Sequence, residues 1–159
     1  MPEINLKGTL IVVDDAGVKV LEDTSSGPWA PKMINGKIYV YRVFRENGEY
    51  SGYESLHRVL TRCPAGLMVD HINGDTLDNR PENLRICSHA ENMRNRKIHK
   101  NNRSGFKGVY FAKDRNKWRA QIRSAGKKFT LGYFSSPEAA HKEYVKAAAA
   151  HHGDFSRAA

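Results

Sequence analysis

The 159-residue chain carries 26 Lys and Arg against 17 Asp and Glu, a formal net charge of +9. Its length suits one medium domain or two small ones, and its charge favours polyanionic partners, either nucleic acid or an acidic membrane surface. The longest run of bulky apolar residues covers only residues 10–13, which excludes a membrane-spanning helix, and two cysteines are too few for a disulfide framework or a cysteine-rich zinc site. The N-terminus lacks the layout of a secretory signal, so we expect a cytoplasmic protein, and because the charge is concentrated in one folded module we expect nucleic acid and no membrane as the partner.

The first part of the chain, residues 1–53, is predicted to form short strands and turns. β-Branched residues at 9–13 and an alternating pattern at 17–21 indicate strands, and a further strand is expected over 37–44. The Glu-Asn-Gly-Glu sequence at 46–49 is typical of a hairpin turn. The sequence of this segment shows no recognisable catalytic or binding motif, and we interpret the segment as a β-rich scaffold.

The next part of the chain alternates short helices and strands. A helix is predicted at 54–62, a buried strand at 67–69 and a second strand at 84–87, with a polar loop between the strands. The Ser-His-Ala-Glu sequence at 88–91 is a capping box, in which the Ser and Glu side chains satisfy the first free amides of a helix. A helix is therefore expected from Ser88 to about Lys97.

Four polar residues in this part of the chain suit metal-assisted phosphodiester chemistry. The carboxylate of Asp70 and the amide oxygen of Asn92 are hard ligands suited to Mg²⁺. A neutral His71 can take a proton from an attacking water, and Asn83 can accept the ring N–H of His71 and so orient it. Neighbours on a strand point to opposite sides, so Asp70 and His71 need a local twist to serve one site.

Motifs in the same stretch resemble those of the phage-type HNH endonucleases. They are Asp70-His71-Ile72-Asn73-Gly74-Asp75, Asp78-Asn79-Arg80, Glu82-Asn83-Leu84-Arg85 and Glu91-Asn92. The resemblance implies a ββα-metal finger in which Asp70 and Asn92 bind one Mg²⁺ or Mn²⁺ ion, His71 is the general base and Asn83 orients His71. It implies no structural zinc, because the paired cysteines of the family's zinc variants are absent.

Three other polar residues near the motifs have alternative roles, either in the site or in the structure. His57 occupies a position where many such proteins carry a histidine, and it is as well suited to a core hydrogen bond as to the site. Asp75 and Asp78 are interpreted as turn-forming residues rather than further ligands.

The positive charge is concentrated in residues 94–128, which hold thirteen Lys and Arg and a single acidic residue, Asp114. Aromatic residues interleave with this charge, which indicates a folded basic module rather than a solvated tail. Three strands are predicted between residues 105 and 134. In the strand at 117–123 apolar and basic residues alternate, so one sheet face is Lys-, Arg- and Gln-rich. Ser136 and Pro137 start a helix that runs to about His151.

This module resembles a second family, the APETALA-type (ethylene-response-factor) DNA-binding domains, over residues 104–155. The resemblance rests on Gly105-Phe106-Lys107-Gly108-Val109-Tyr110, Lys117-Trp118-Arg119-Ala120-Gln121-Ile122-Arg123, Leu131-Gly132-Tyr133-Phe134 and Pro137-Glu138-Ala139-Ala140. It implies a three-stranded sheet laid in the major groove of DNA. The DNA-binding candidates, including three basic residues upstream of the module, are Arg94, Arg96, Lys97, Lys107, Lys117, Arg119, Arg123, Lys128 and Thr130.

Together these features predict an α+β protein of two modules. An HNH endonuclease domain is expected over residues 1–98, with its core at 56–97 and its β-rich scaffold at 1–53. A linker at 99–104 leads to the APETALA-type domain at 105–159, a small three-stranded antiparallel sheet packed on one helix.

The predicted function is a metal-dependent endonuclease that cuts or nicks double-stranded DNA, resembling phage-encoded homing enzymes that work in the host cytoplasm. The alternative is a non-catalytic DNA-binding regulator that keeps the finger as a scaffold, and a basic RNA-binding protein is a third possibility. No protein partner can be inferred from the sequence.

Overall fold

The computed structural model describes residues 2–95, 98 and 101–153. Within that part of the chain the fold is mixed α/β, with ten strands in four small antiparallel sheets and four α-helices. The chain divides into two compact units, Met1–Asn92 and Met93–Ala159. No helix among the described residues is both long and apolar enough to cross a membrane.

The first unit opens with a hairpin, a helix, a three-stranded sheet and a second helix. These elements are β1 (Glu3–Leu6), β2 (Thr9–Val12), α1 (Asp15–Glu22), β3 (Trp29–Ile34), β4 (Lys37–Glu46), β5 (Glu49–Ser55) and α2 (Leu56–Thr61). β4 lies between β3 and β5, and β1 forms a two-stranded sheet with β2. The core takes one residue from each of β2, α1, β3, β4 and α2, together with one residue from the turn between β2 and α1; these are Ile11, Leu21, Trp29, Val40, Leu56 and Val13.

The strand predicted at 17–21 is wrong, because these residues belong to helix α1. The Asp14 carboxylate accepts a hydrogen bond from the Gly17 N–H at 2.8 Å and caps the helix start. Gly17 and Leu21 are the buried residues of α1, and their spacing of four is helical. The alternating valines that indicated a strand are only half-buried.

The predicted hairpin turn at 46–49 is confirmed. It joins β4 to β5, and Asn47 and Gly48 both have positive φ, +52° and +82°. Two consecutive residues with positive φ give the turn twist that matches an antiparallel hairpin.

The first unit continues with β6 (Met68–His71), a 3₁₀ turn (Pro81–Asn83), β7 (Leu84–Cys87) and helix α3 (His89–Arg94), whose last residues lie in the second unit. β6 and β7 form a two-stranded antiparallel sheet. The capping box is confirmed: the Glu91 N–H donates to Ser88 Oγ at 3.3 Å, and the Ser88 N–H donates to Glu91 Oε2 at 2.8 Å. The helix was expected to reach Lys97; its described part ends at Arg94, and Lys97 lies outside the described residues.

The second unit is a three-stranded sheet with one helix packed on it. Its elements are β8 (Val109–Ala112), β9 (Lys117–Ser124), β10 (Lys127–Phe134) and α4 (Pro137–His152), and β9 is the central strand. Ala120 and Ile122 of β9 are buried with Ala140, Tyr144 and Ala148 of α4. The predicted alternation of β9 is thus present, and its basic residues face away from the helix.

Gly108, just before β8, offers a sharp test of this packing. Its φ is +71°, and a Cβ built there would lie 2.3 Å from the Tyr144 ring and 2.8 Å from the Gln121 carbonyl oxygen. Gly126 has a similar φ of +76°, but nothing lies within 4 Å of a Cβ there. We expect Gly108→Ala to lower the free energy of unfolding of this unit by about 1–3 kcal/mol more than Gly126→Ala, since overpacking adds to the shared backbone cost. Urea denaturation of the two variants measures this difference, and equal losses would contradict the packing described.

Candidate functional site

The short strand β6 carries two of the predicted site residues, Asp70 and His71, side by side. In the β6–β7 sheet Asp70 pairs with Arg85 and His71 pairs with Leu84. Because successive side chains of a strand point to opposite faces, Asp70 and His71 have different surroundings. Both are buried, with 6% and 5% of their surface exposed.

On the first face, Asp70 forms a salt bridge with Arg85, its cross-strand partner. Arg85 Nη2 and Nε lie 2.7 Å and 2.9 Å from Asp70 Oδ2. Both side chains are largely withdrawn from solvent, so each charge depends on the other for compensation. The sequence prediction did not include Arg85. The signal that could have revealed it is the antiparallel register of two short strands joined by a loop.

The structure brings Asn92 to the face of β6 that bears Asp70. The Asn92 amide nitrogen lies 3.7 Å from the sulfur of Met68. Met68 is two residues before Asp70 on the strand, so their side chains share a face. Cys87, opposite Met68, is buried there, and burial, together with the charge of Asp70, raises the pKa of its thiol to about 11. The thiol is therefore neutral and a poor metal ligand at neutral pH.

The donor set on this face fits a weakly held hard cation. Asp70 offers a carboxylate and Asn92 an amide oxygen, and both are oxygen ligands of the kind that Mg²⁺ prefers, with water and phosphate filling the other positions. Within residues 2–95, 98 and 101–153, no group of three or more His, Cys, Asp or Glu side chains is arranged to hold a metal. A site on this face would therefore have at most a few protein ligands.

On the other face, His71 packs into a cluster of rings with His57 and Tyr39. Its ring centroid lies 5.3 Å from that of His57 and 6.3 Å from that of Tyr39. Burial lowers the pKa of His71, although Asn79 and the nearby Asp70 partly oppose this effect. The imidazole is therefore neutral at neutral pH, as a general base must be. The structure thus puts His57, a possible site residue in the sequence, in direct contact with His71.

A side-chain hydrogen bond with Asn79, a residue that the sequence prediction did not include, acts on the pKa of His71. The Asn79 amide nitrogen already donates to the carbonyls of Thr76 and Leu77, at 3.5 Å and 3.2 Å, which leaves its oxygen to accept from a ring N–H of His71. Asn79 is 1% exposed, so the contact is shielded from solvent. The burial of Asn79 is what distinguishes it from the other polar residues of the loop, and burial is not visible in the sequence.

Asn83 holds the turn that follows His71. Its side-chain oxygen accepts from the Asn73 N–H at 2.9 Å, its backbone oxygen accepts from the Ile72 N–H at 2.9 Å, and its amide nitrogen donates to the Asp78 carbonyl at 2.7 Å. Asn83 therefore fixes the backbone of the residues just beyond the imidazole, and its predicted contact with the His71 ring stays a prediction.

The loop between β6 and β7 is anchored to the N-terminal strands. The Asn79 N–H donates to the Val12 carbonyl at 2.7 Å, and the Thr76 hydroxyl donates to the Ile38 carbonyl at 2.6 Å. Within the loop, Arg80 Nε lies 2.7 Å from Asp78 Oδ1, and this partner lowers the pKa of Asp78. The N-terminal β-rich segment thus supports the loop that positions His71.

The buried His57 makes the stability of the first unit pH-dependent. Burial, with the adjacent His71 and Arg58, lowers its pKa to about 3, whereas a histidine in an unfolded chain has a pKa of about 6.5. Below about pH 6.5 His57 is protonated in the unfolded chain but stays neutral in the folded protein. The free energy of unfolding therefore falls as the pH falls. The loss at about pH 5 relative to pH 7.5 is expected to be about 2 kcal/mol from this residue.

Urea denaturation of the wild type and of His57→Gln, each at both pH values, measures this contribution. The variant should show a smaller loss, while His151→Gln, which changes an exposed histidine of the second unit, should behave as the wild type. Identical pH dependence in all three proteins would contradict the buried, neutral state of His57.

The second unit presents most of the predicted DNA-binding residues on one sheet face. Lys117, Arg119 and Arg123 alternate along β9, and in β10 Lys128 pairs with Arg123 while Thr130 pairs with Gln121. This set, Lys117, Arg119, Arg123, Lys128 and Thr130, is called the basic sheet face below.

The remaining DNA-binding candidates are not on that face. Lys107 precedes β8 and donates to the carbonyl of Arg94 at the end of α3. Both residues are half-buried, so neither presents a freely exposed charge. Arg96 and Lys97 lie outside the described residues.

Comparison with known proteins assigns part of the chain. Residues 57–94 match the HNH endonuclease family. Protein 3.8 of Escherichia phage T7 is 41% identical over 64 residues, which cover 40% of this chain and 53% of the relative. The chain thus matches about half the length of that relative, and no solved structure matches it significantly. The matched residues include Asp70, His71 and Asn92, and the chain therefore contains an HNH endonuclease family domain at residues 57–94, which supports a nuclease or DNA-binding role.

Proposed function

We propose that the protein is an endonuclease that hydrolyses phosphodiester bonds of double-stranded DNA with one divalent metal ion, in the host cytoplasm if it is phage-encoded. The observation that carries this proposal is the buried, neutral His71 beside Asp70, inside the segment that matches the HNH endonuclease family. Although the two side chains leave β6 on opposite faces, the Asp70 carboxylate is close enough to act on the pKa of His71, and a buried imidazole with a nearby carboxylate is typical of sites that do acid–base chemistry. The β6–β7 sheet and α3 would then serve as a ββα-metal finger.

In this mechanism His71 accepts a proton from the water that attacks phosphorus. The oxygen of Asn79 orients the ring by accepting one ring N–H, and the lowered pKa of the imidazole keeps it neutral and so able to take the proton. His57 and Tyr39 pack against the ring and exclude water from its sides. Asp70 and Asn92 are the residues that would hold Mg²⁺ or Mn²⁺, which when bound neutralises charge that develops on the phosphate oxygens.

A supercoiled plasmid incubated with the purified protein tests the proposal. With Mg²⁺ or Mn²⁺ the plasmid should become nicked or linear, and excess EDTA should prevent this. A protein that binds the plasmid and leaves it supercoiled with either metal is not an endonuclease of this kind.

A specific observation favours the second candidate, a DNA-binding regulator without catalysis. Arg85 already neutralises the Asp70 carboxylate, and no cluster of three acidic, His or Cys ligands occurs in the described residues. A regulator would bind DNA with the same affinity in EDTA as in Mg²⁺ and would show no cleavage. The plasmid assay therefore separates the two candidates.

The second unit would bind DNA through its basic sheet face, as its resemblance to APETALA-type domains implies. If about six phosphates are neutralised, a plot of the logarithm of affinity against the logarithm of salt concentration should have a slope of about −5. Replacing Lys117, Arg119 and Arg123 together by alanine should reduce the steepness of that slope by about 3, if each contacts one phosphate.

The matched control replaces Lys142 and Lys146, two exposed lysines of α4, which do not lie on the sheet. Fluorescence anisotropy of a labelled duplex at several salt concentrations gives both slopes. Equal slopes for the wild type and the sheet variant would remove the basic sheet face from DNA binding.

A further inference from the structure

A row of aromatic rings leads from the surface of the first unit to His71. The Tyr53 and Tyr41 centroids are 5.4 Å apart, those of Tyr41 and Tyr39 are 6.3 Å apart, and Tyr39 lies 6.3 Å from His71. Tyr53 is 62% exposed at one end of the row, whereas His71 is buried at the other. Tyr39, Tyr41 and Tyr53 are called the tyrosine track below. The described mechanism uses only the Tyr39 contact with His71.

The sheet face that bears the tyrosine track is also positively charged. Tyr39 pairs with Lys32 of β3, and Tyr41 pairs with Ser55 of β5, so these side chains share one face. Lys37 is two residues before Tyr39 and points the same way. Both lysines are exposed. The neighbouring positions of this sheet face hold no carboxylate; they lie within residues 30–34 of β3, 37–43 of β4 and 53–55 of β5.

A cavity adjoins the middle residue of the tyrosine track, Tyr41. It has a volume of about 700 Å³ and is lined by Tyr41 and Val43 together with Lys7, Arg45 and Glu46. Two cations against one carboxylate keep the region positive. Large apolar rings beside exposed cations, with a concave surface next to them, form a surface that attracts a polyanion with aromatic parts.

We propose that the tyrosine track binds an unpaired strand of the nucleic-acid substrate and guides it toward His71. Aromatic side chains stack on the faces of bases, and those faces are accessible only where a strand is unpaired, since they are covered in a duplex. Lys32 and Lys37 are placed to contact the phosphates of that strand. This inference rests on the proposed function, because it assigns a substrate to the site that contains His71.

The experiment measures binding of the full-length protein to a labelled oligothymidylate of about ten nucleotides in EDTA, so that no cleavage occurs. Tyr53→Ala should weaken binding by about tenfold, because stacking of one base is lost. Tyr53→Phe keeps the ring and should bind as the wild type. Met33→Ala is the matched control, since Met33 is 69% exposed and pairs with Ile38 on the opposite face of the same sheet.

Two further readouts separate stacking from charge and strand state. Tyr53→Ala should leave the salt slope unchanged, whereas Lys32→Ala should reduce its steepness by about 0.7 for one lost phosphate contact on a single strand. Neither affinity nor slope for a duplex of equal length should change with Tyr53→Ala. Photocrosslinking of a 5-iododeoxyuridine strand, followed by peptide mapping, should give adducts within residues 39–53.

Wild-type affinity of Tyr53→Ala for the oligothymidylate, equal weakening for strand and duplex, or adducts confined to the second unit would each overturn the proposal. Binding of the track to anionic lipid vesicles with no strand crosslinking would also overturn it, in favour of a membrane surface. The proposed function fails separately, because a protein that nicks plasmid yet shows these contrary results is still an endonuclease. Conversely, strand binding through Tyr53 without plasmid cleavage would retain the track and refute catalysis.

Discussion

Replacing His71 by alanine is expected to slow metal-dependent DNA cleavage by about 10²- to 10⁴-fold, the usual contribution of a general base. The imidazole is buried and neutral, and Asn79 sets its orientation. Alanine removes the group that accepts the proton, while the basic sheet face in the other unit is unchanged. Binding of DNA should therefore persist in the variant, and the loss should appear in the rate of the bound complex.

Single-turnover cleavage with protein in excess over labelled duplex measures that rate, and a gel shift in EDTA measures binding. His151→Ala is the control, since His151 is an exposed histidine of the second unit. Asn79→Ala should give a smaller loss of rate with unchanged binding, because it frees the ring without removing it. An unchanged rate in His71→Ala would assign the proton transfer to another group.

Replacing Asp70 by alanine is expected to lower the free energy of unfolding of the first unit by about 3–5 kcal/mol. The change leaves the Arg85 guanidinium, whose side chain is only 15% exposed, without its carboxylate. Asp70→Asn keeps the shape and one oxygen acceptor, so it should destabilise less. If Asp70 also holds the metal, Mg²⁺ should stabilise the wild type and leave Asp70→Asn unaffected, since only a bound ligand shifts the unfolding equilibrium.

Hydrogen exchange of amides in β6 and β7 reports on this unit separately from the second. Arg85→Met provides the partner variant, and the double variant closes a cycle that gives the coupling between the two charges. A stability loss below about 1 kcal/mol for Asp70→Ala would contradict the buried salt bridge. Equal stabilisation of the wild type and Asp70→Asn by Mg²⁺ would exclude Asp70 as a ligand.

Elements that depend on local patterns were predictable from the sequence. The Ser88–Glu91 capping box starts α3, the Asn47-Gly48 pair forms the hairpin turn, and the alternation of residues 117–123 forms β9. Each of these signals is complete within a few residues, so no distant contact is needed to interpret it. Asp70 and His71 were proposed as site residues from the same kind of signal, since their motif is continuous in sequence.

Features that depend on distant contacts were not predictable in this way. Asn79 reaches His71 because Val12, far earlier in the chain, holds the backbone of its loop. Arg85 faces Asp70 only through the register of β6 and β7. Both pairings are set by tertiary structure, and a single sequence contains no periodicity that records them.

The misassigned residues 17–21 show how two local signals can compete. Val18 and Val20 alternate as in a strand, but the Asp14 cap and the spacing of Gly17 and Leu21 favour a helix. Tertiary burial decided between them, because the helix puts Leu21 in the core. Strand propensity was the weaker signal here, since it depends strongly on packing context.

The most direct measurement is cleavage of one supercoiled plasmid by the wild type and by His71→Ala, run side by side with Mg²⁺ and with EDTA. Nicked or linear product should appear only for the wild type and only with Mg²⁺, while both proteins shift the plasmid in a gel. Equal cleavage by the two proteins, or plasmid that stays supercoiled with the wild type and Mg²⁺, would contradict a metal-dependent endonuclease that uses His71 as its base.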